Sequence, residues 1–203
     1  MDSSETTSVE VVVFNGFDEL DALGPYEVLE NAKDAGANLD VELVTLGGAT
    51  SATGNHDLTV ASQGALSDHA DLLVVPGGSW DGRAVAGAWA EVQAGDLPEA
   101  VRLAHQRGAI VGSVCTGAMI LEAGGLLDGK RATTHHGAME DLRESGAEAV
   151  DARVVDEGDV VTAGGVTAGL DLGFWLVERF WGVDLADEIA REMEYERSDD
   201  VVA

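Results

Sequence analysis

Positive charge is what this sequence has least of. Lysine occurs only at Lys33 and Lys130, and Lys plus Arg total 11 against 38 Asp plus Glu, a formal charge of −27. A field of that sign repels phosphate backbones and anionic bilayers, which excludes nucleic acid and membrane surfaces as partners. Cysteine is confined to Cys115, so no internal disulfide can form, as suits a reducing cytoplasm. The most apolar stretch, 109–121, contains Ser113 and Thr116 and stops at Glu122, too short to span a bilayer. Residues 1–8 are polar and acidic, without the basic and apolar regions of a secretory signal. His56, His69 and His105 are scattered, and no Cys or His cluster has ligand spacing, so a metal site is not expected.

What is present is globular. Hydrophobic residues make up 45% of the 203 positions, with 26 glycines, enough for one large domain. The acidic excess is spread over segments that keep regular apolar patterning, which reads as adaptation to a salt-rich cytoplasm. At molar salt the Debye length is only about 3 Å, and self-repulsion that would oppose folding is screened. The expected result is a lower melting temperature in dilute buffer than in molar KCl; equal values in both would remove the idea.

Short β-rich runs alternate with helical ones. Strands are predicted at 9–14, 41–46, 58–61, 71–75, 110–114, 131–134, 149–155 and 160–162. Helices are predicted at 25–35, with Pro25 in the first turn, and at 97–107, 116–123 and 139–144. Leu170, Phe174, Val177 and Trp181 recur at helical spacing, as do Leu185, Ile189 and Met193. The expected fold class is α/β: a mostly parallel central sheet with helices on both faces, flavodoxin-like. One domain over 9–197 is expected, with mobile ends at 1–8 and 198–203.

The chemistry centres on Ser113-Val114-Cys115-Thr116-Gly117. A β-branched run enters this segment and an Ala-Met-Leu run leaves it, the form of a nucleophile elbow. Cysteine in an apolar run is otherwise a small core hydrophobe, but a strand–turn–helix context favours a thiolate with a lowered pKa. Sites in open α/β sheets lie beyond the C-terminal ends of strands, which gathers Cys115, Gly77-Gly78, Asp21 and His135. Gly77 and Gly78 let backbone N–H groups approach a reacting atom and, with the Thr116 N–H, offer an oxyanion-type pocket. Asp21, among Leu20, Ala22, Leu23 and Gly24, is expected to be desolvated and suited to acid/base work; Glu27 is the competing acid. His135 and His136, if extended, point to opposite faces. Ala163-Gly164-Gly165-Val166 reads as a closely packed strand–helix turn.

Five stretches carry a resemblance: Leu20-Asp21-x-x-Gly24-Pro25-x-Glu27-Val28, Val75-Pro76-Gly77-Gly78, Ser113 to Gly117, Gly125-Leu126-Leu127-x-Gly129-x-Arg131-Ala132-Thr133-Thr134-His135, and Gly164 to Asp171. Together they resemble the ThiJ/PfpI superfamily, of the class I glutamine amidotransferase-like fold. Within it the chain looks most like isonitrile hydratases and the sensor domains of AraC-type regulators.

For the hydratase branch the resemblance implies that Cys115 is the nucleophile, Asp21 the acid/base partner and Thr116 the neighbour of the thiolate. Gly77, Gly78 and His135 fall at the oxyanion and substrate site. The implied reaction adds water to a small-molecule isonitrile without a cofactor, in a homodimer to which Trp80, Trp89 and Trp175 could contribute contacts. Thr116 stands where peptidase-like members carry His, which lowers a peptidase or amidase reading. Leu23, His136 and Ser79-Trp80-Asp81-Gly82 depart from the hydratase pattern at positions assigned to the substrate pocket. The same fold also implies two alternatives: a non-catalytic sensor of small molecules, and a redox or carbonyl-stress protein whose Cys115 is oxidised to a sulfinate.

Overall fold

The computed structural model describes residues 6–203. Along the chain run β1 (Thr7–Val12), α1 (Glu19–Asp34), β2 (Leu39–Thr45), β3 (Ser51–Thr53), β4 (Thr59–Ala61), β5 (Gly64–Ala65) and β6 (Leu72–Val75). Then come α2 (Ala88–Ala94), α3 (Asp96–Gln106), β7 (Ile110–Val114), α4 (Gly117–Ala123), β8 (Arg131–Ala132), a 3-10 turn at His136–Ala138 and α5 (Met139–Glu144). The last elements are β9 (Glu148–Ala149), β10 (Val154–Asp156), β11 (Val160–Ala163), α6 (Ala168–Trp181), α7 (Val183–Glu192) and β12 (Val201–Val202).

Among the described residues, eight strands form the main sheet in the order β12-β10-β11-β7-β6-β1-β2-β5. All its neighbours are parallel except the β10–β11 pair. The central strand β6 is Leu-Leu-Val-Val and wholly buried, as a parallel strand covered on both faces must be. α1, α6 and α7 pack together on one face, and α2, α3 and α4 on the other. The architecture is the α/β class expected from the alternation. Its connections diverge at the β1/β6 boundary, because the chain leaves β1 for β2 and returns beside β1 as β6. The loops after these two strands meet there: Asp18 N donates to Gly77 O at 2.9 Å. A crevice at such a switch point is where α/β sheets place their sites.

Several element boundaries differ from expectation. The helix read from Pro25 starts six residues earlier, at Glu19, with Asp18 as N-cap accepting from Leu20 N at 3.2 Å. Asp21 therefore lies in the first turn of α1, not in a loop. Pro25 is inside the helix; close contact with α6, where a Cβ on Gly173 would lie 2.8 Å from Val28 Cβ and 3.2 Å from Pro25 Cα, holds the segment helical despite the missing N–H. The strand read at 149–155 is two strands, and the short helix α2 has no predicted counterpart.

Both ends are more ordered than composition implies. Thr7 and Ser8 pair with Leu39 and Asp40, and residues 1–5, also read as mobile, lie outside the described residues. At the other end Val201 and Val202 pair with Val154 and Val155, and Arg153 N donates to Asp200 Oδ2 at 3.0 Å. Without that dipeptide β10 would be an open edge. No helix among the described residues is long and apolar enough to cross a membrane.

Candidate active site

Strand β7 ends at Val114 and α4 begins at Gly117, so Cys115 and Thr116 carry the whole turn. Cys115 has φ 57°, a left-handed conformation costing a non-glycine residue about 1–3 kcal/mol. Its surroundings over-determine it. Cys115 N donates to Gly164 O at 2.8 Å and lies 3.1 Å from Ala163 O, while Thr134 Oγ1 donates to Cys115 O at 2.8 Å. At position 117 a Cβ would sit 2.2 Å from Val75 O, so only glycine lets α4 start this close to β6.

Beside the sulfur lies Asp21, fully buried. Gly77 N donates to its Oδ2 at 3.0 Å; Oδ1 is buried without a conventional hydrogen bond, and the carboxyl's remaining interaction is with the Cys115 thiol. Burial, and then the charge of Asp18, push the Asp21 pKa up to about 8 against the opposing pull of the Gly77 N–H and the thiol. The Cys115 thiol is also pushed up, first by burial and then by Asp21. The lowered pKa expected from an elbow is therefore corrected. The backbone N–H groups of Thr116 and Val166 favour the sulfur anion, but a side chain only 6% exposed loses more solvation than two amides restore. At neutral pH this pair holds its protons, and removing one yields a single negative charge shared between carboxyl and sulfur.

The sulfur floors a cavity of about 230 Å³ whose walls include Asp18, Asn55, Trp80, Asp81, His135 and Val166. Gly78 and Thr116 also line it, and Gly78 N donates to Thr116 Oγ1 at 2.9 Å. The N–H groups of Gly77 and Gly78 are thus both engaged within the protein, and the amides that face the sulfur are those of Thr116 and Val166. Gly77 and Gly78 shape the site through their backbones and do not supply open oxyanion donors.

His135 caps the 3-10 turn, with Gly137 N donating to its Nδ1 at 3.2 Å. Nδ1 being the acceptor, the ring proton of the neutral form is on Nε2. Burial, then the neighbouring His136, lower its pKa and keep it neutral. The two rings do not point to opposite faces: the chain turns here instead of extending, and their centroids are 4.0 Å apart.

Other candidates fall elsewhere. Glu27 is exposed on α1 and its side chain lies beside Asn31, so it does not compete with Asp21 for the sulfur. Leu23 packs against the core and is absent from the cavity wall, and His136 lines a neighbouring hollow of about 290 Å³. Trp80 is 8% exposed and lines the cavity.

Sequence reasoning missed Val166 and Asn55 as pocket residues, while Asp81, from the Ser79-Trp80-Asp81-Gly82 segment, does line the cavity. Val166 has φ 41°, rare for a β-branched residue; the two glycines before it were the available signal. Asn55 is brought in by the turn at 54–58, which the buried Glu19 holds by accepting from His56 N at 2.7 Å and lying 2.7 Å from His56 Nδ1.

The sequence model of the DJ-1/PfpI family matches residues 7–179. The isonitrile hydratase of Pseudomonas putida is 35% identical over 187 residues, covering 91% of this chain and 76% of the hydratase. A Thermococcus kodakarensis protein named deglycase TK1284 is 31% identical, with 76% of this chain and 88% of the deglycase covered. Among solved structures, a ThiJ/PfpI family protein from Pseudomonas syringae superposes with a TM-score of 0.85 at 25% identity, over 97% of this chain and 78% of that one.

Proposed function

Because the chain belongs to the DJ-1/PfpI family, we propose that it is a cysteine-dependent hydratase, adding water to an isonitrile R–NC to give the N-substituted formamide. The observation that carries this reading is the pairing of an accessible-faced but desolvated sulfur with a fully buried carboxyl that titrates near 8. Similarity to the Pseudomonas putida hydratase supports the choice of substrate class.

The chemistry follows from one proton moving within that pair. Ionised Asp21 takes the thiol proton, and the sulfur attacks the terminal isonitrile carbon. Asp21 then returns the proton to that carbon, which gives the thioimidate R–N=CH–S–Cys115. In the following step the His135 Nε2–H supplies a donor to the thioimidate nitrogen, where electron density builds up as water adds to the neighbouring carbon. Water adds to the thioimidate carbon, the C–S bond breaks, the thiol recovers its proton, and R–NH–CHO leaves. Every step uses one soft nucleophile and one proton carrier.

The test is formamide release from an alkyl isonitrile in molar KCl. Wild-type protein is expected to turn over, and Cys115→Ala to lose at least about 10³-fold in kcat. No wild-type turnover, or turnover that survives Cys115→Ala, would overturn the reading. A second reading, oxidation of Cys115 to a sulfinate, draws on the same two amides facing the sulfur. Peroxide titration with mass spectrometry separates it: selective, stoichiometric gain of two oxygens on Cys115 would favour it.

A further inference from the structure

We infer that the substrate of the Cys115 pocket carries a cationic group, an organic ammonium next to the reacting carbon. This rests on the reading of the pocket as the reactive site and names the class of molecule that enters it. The formally charged side chains on the cavity wall are the carboxylates of Asp18 and Asp81; neither Lys nor Arg lines it, and His135 is held neutral by burial.

The two carboxylates lack counter-cations. Asp18 accepts from Leu20 N at 3.2 Å and weakly from the Asn55 amide at 3.5 Å, both neutral donors. Asp81 lies against Gly137, where a Cβ would meet its Oδ2 at 2.8 Å, and it makes no ion pair or hydrogen bond among the described residues. Elsewhere the scarce cations are placed on carboxylates: Arg153 on Asp171, Arg179 on Asp156, Arg197 on Glu178, Lys130 on Asp159. Arg83, two residues from Asp81, lies over the Trp89 ring at 4.6 Å instead.

The third wall is aromatic. Trp80 is fixed by its indole N–H on Asp141 Oδ2 at 2.6 Å and by edge contact with Trp89 at 5.2 Å between centroids. A rigid indole beside two uncompensated carboxylates is the chemistry that recognises an ammonium ion. An anionic substrate would meet two carboxylates at short range, with no Lys or Arg on the wall to offset them.

Charge-selective labelling of Cys115 tests this without assuming the hydration reaction. Methanethiosulfonates of similar size, bearing trimethylammonium, neutral alkyl or sulfonate groups, are compared at the lowest ionic strength at which the fold persists. Rates are normalised to a free thiol. The cationic reagent is expected to label about tenfold faster than the neutral one, and the sulfonate about tenfold slower. Asp18→Asn, which keeps an N-cap, and Asp81→Asn should each shrink the cation preference severalfold. Equal rates for the three reagents, or a preference unchanged in both variants, would overturn the inference. Turnover of an ammonium-bearing isonitrile against its neutral isostere completes the test. Turnover of both without preference sinks the charge selection and leaves the hydratase standing. Charge-selective labelling with no isonitrile turnover sinks the hydratase and leaves the charge selection standing.

Discussion

Asp21→Asn is expected to abolish hydration while making the protein more stable at alkaline pH. The two effects have one cause. Asp21 is fully buried and its carboxyl titrates at about 8, against 3.8 for an unperturbed group. Between those values the folded protein holds a proton that the unfolded chain has released. Stability therefore falls as pH rises through that window and levels off above it. Each unit of pKa difference is worth 1.36 kcal/mol, so keeping an ionised Asp21 in the fold costs about 6 kcal/mol by pH 9. Asparagine has the same shape, keeps an acceptor for the Gly77 N–H and titrates nowhere in this range. Denaturation in molar KCl at pH 5, 7 and 9 should show the wild type losing stability over that span and the variant losing much less. Parallel pH dependence in the two proteins would remove the buried-acid argument. Activity should fall about 10²–10⁴-fold, the usual contribution of a positioned acid/base. In the wild type, kcat/KM should rise with pH toward about 8, as the pair gives up its first proton.

The elbow was legible in the sequence because its cause is local. Small residues at 113 and 117, an apolar strand before and an Ala-Met-Leu helix after, all answer to contacts within a few positions. Asp21 was singled out by its small and apolar neighbours only together with the family resemblance, since Asp18 and Glu19 stand close by and Leu20 is exposed. The place of Asp21 in the first turn of α1 was not legible, because Pro25 mimics a helix start and the packing that overrides it comes from α6, almost 150 residues away. The thiol's shift was misjudged in sign, since an elbow motif announces backbone donors but does not announce how completely the sulfur and its acid are enclosed. Asn55 and Val166 were not legible: Asn55 comes from the β3–β4 turn and Val166 from the β11–α6 turn, and neither meets the elbow until the chain is folded. The C-terminal Val201–Val202 strand was hidden in the same way, for a polar tail reads as mobile unless the open edge of β10 is known.

Gly77→Ala is expected to disable the site through geometry alone. The backbone here is not left-handed, so the objection to a side chain is purely steric. A Cβ would lie 2.4 Å from both Thr116 N and Thr116 Oγ1, and 2.8 Å from Gly117 N. Neither side can yield easily. Gly77 is tied by its N–H to Asp21 and by its carbonyl to the Asp18 N–H, while the elbow is tied to Ala163, Gly164 and Thr134. The methyl therefore pushes Cys115 away from the acid that exchanges its proton. Displacements of about 1 Å can cost 10²-fold in rate, and overpacking of this kind costs about 1–3 kcal/mol or more in stability. Gly47→Ala is the control: no atom lies within 4 Å of its Cβ position, and its effect on stability should stay within about 0.5 kcal/mol. Isonitrile turnover, Cys115 labelling rate and denaturation midpoint read the three consequences separately. A Gly77→Ala protein that keeps the wild-type labelling rate and turnover would mean that the contact between the β6 loop and the elbow does not set the position of the sulfur.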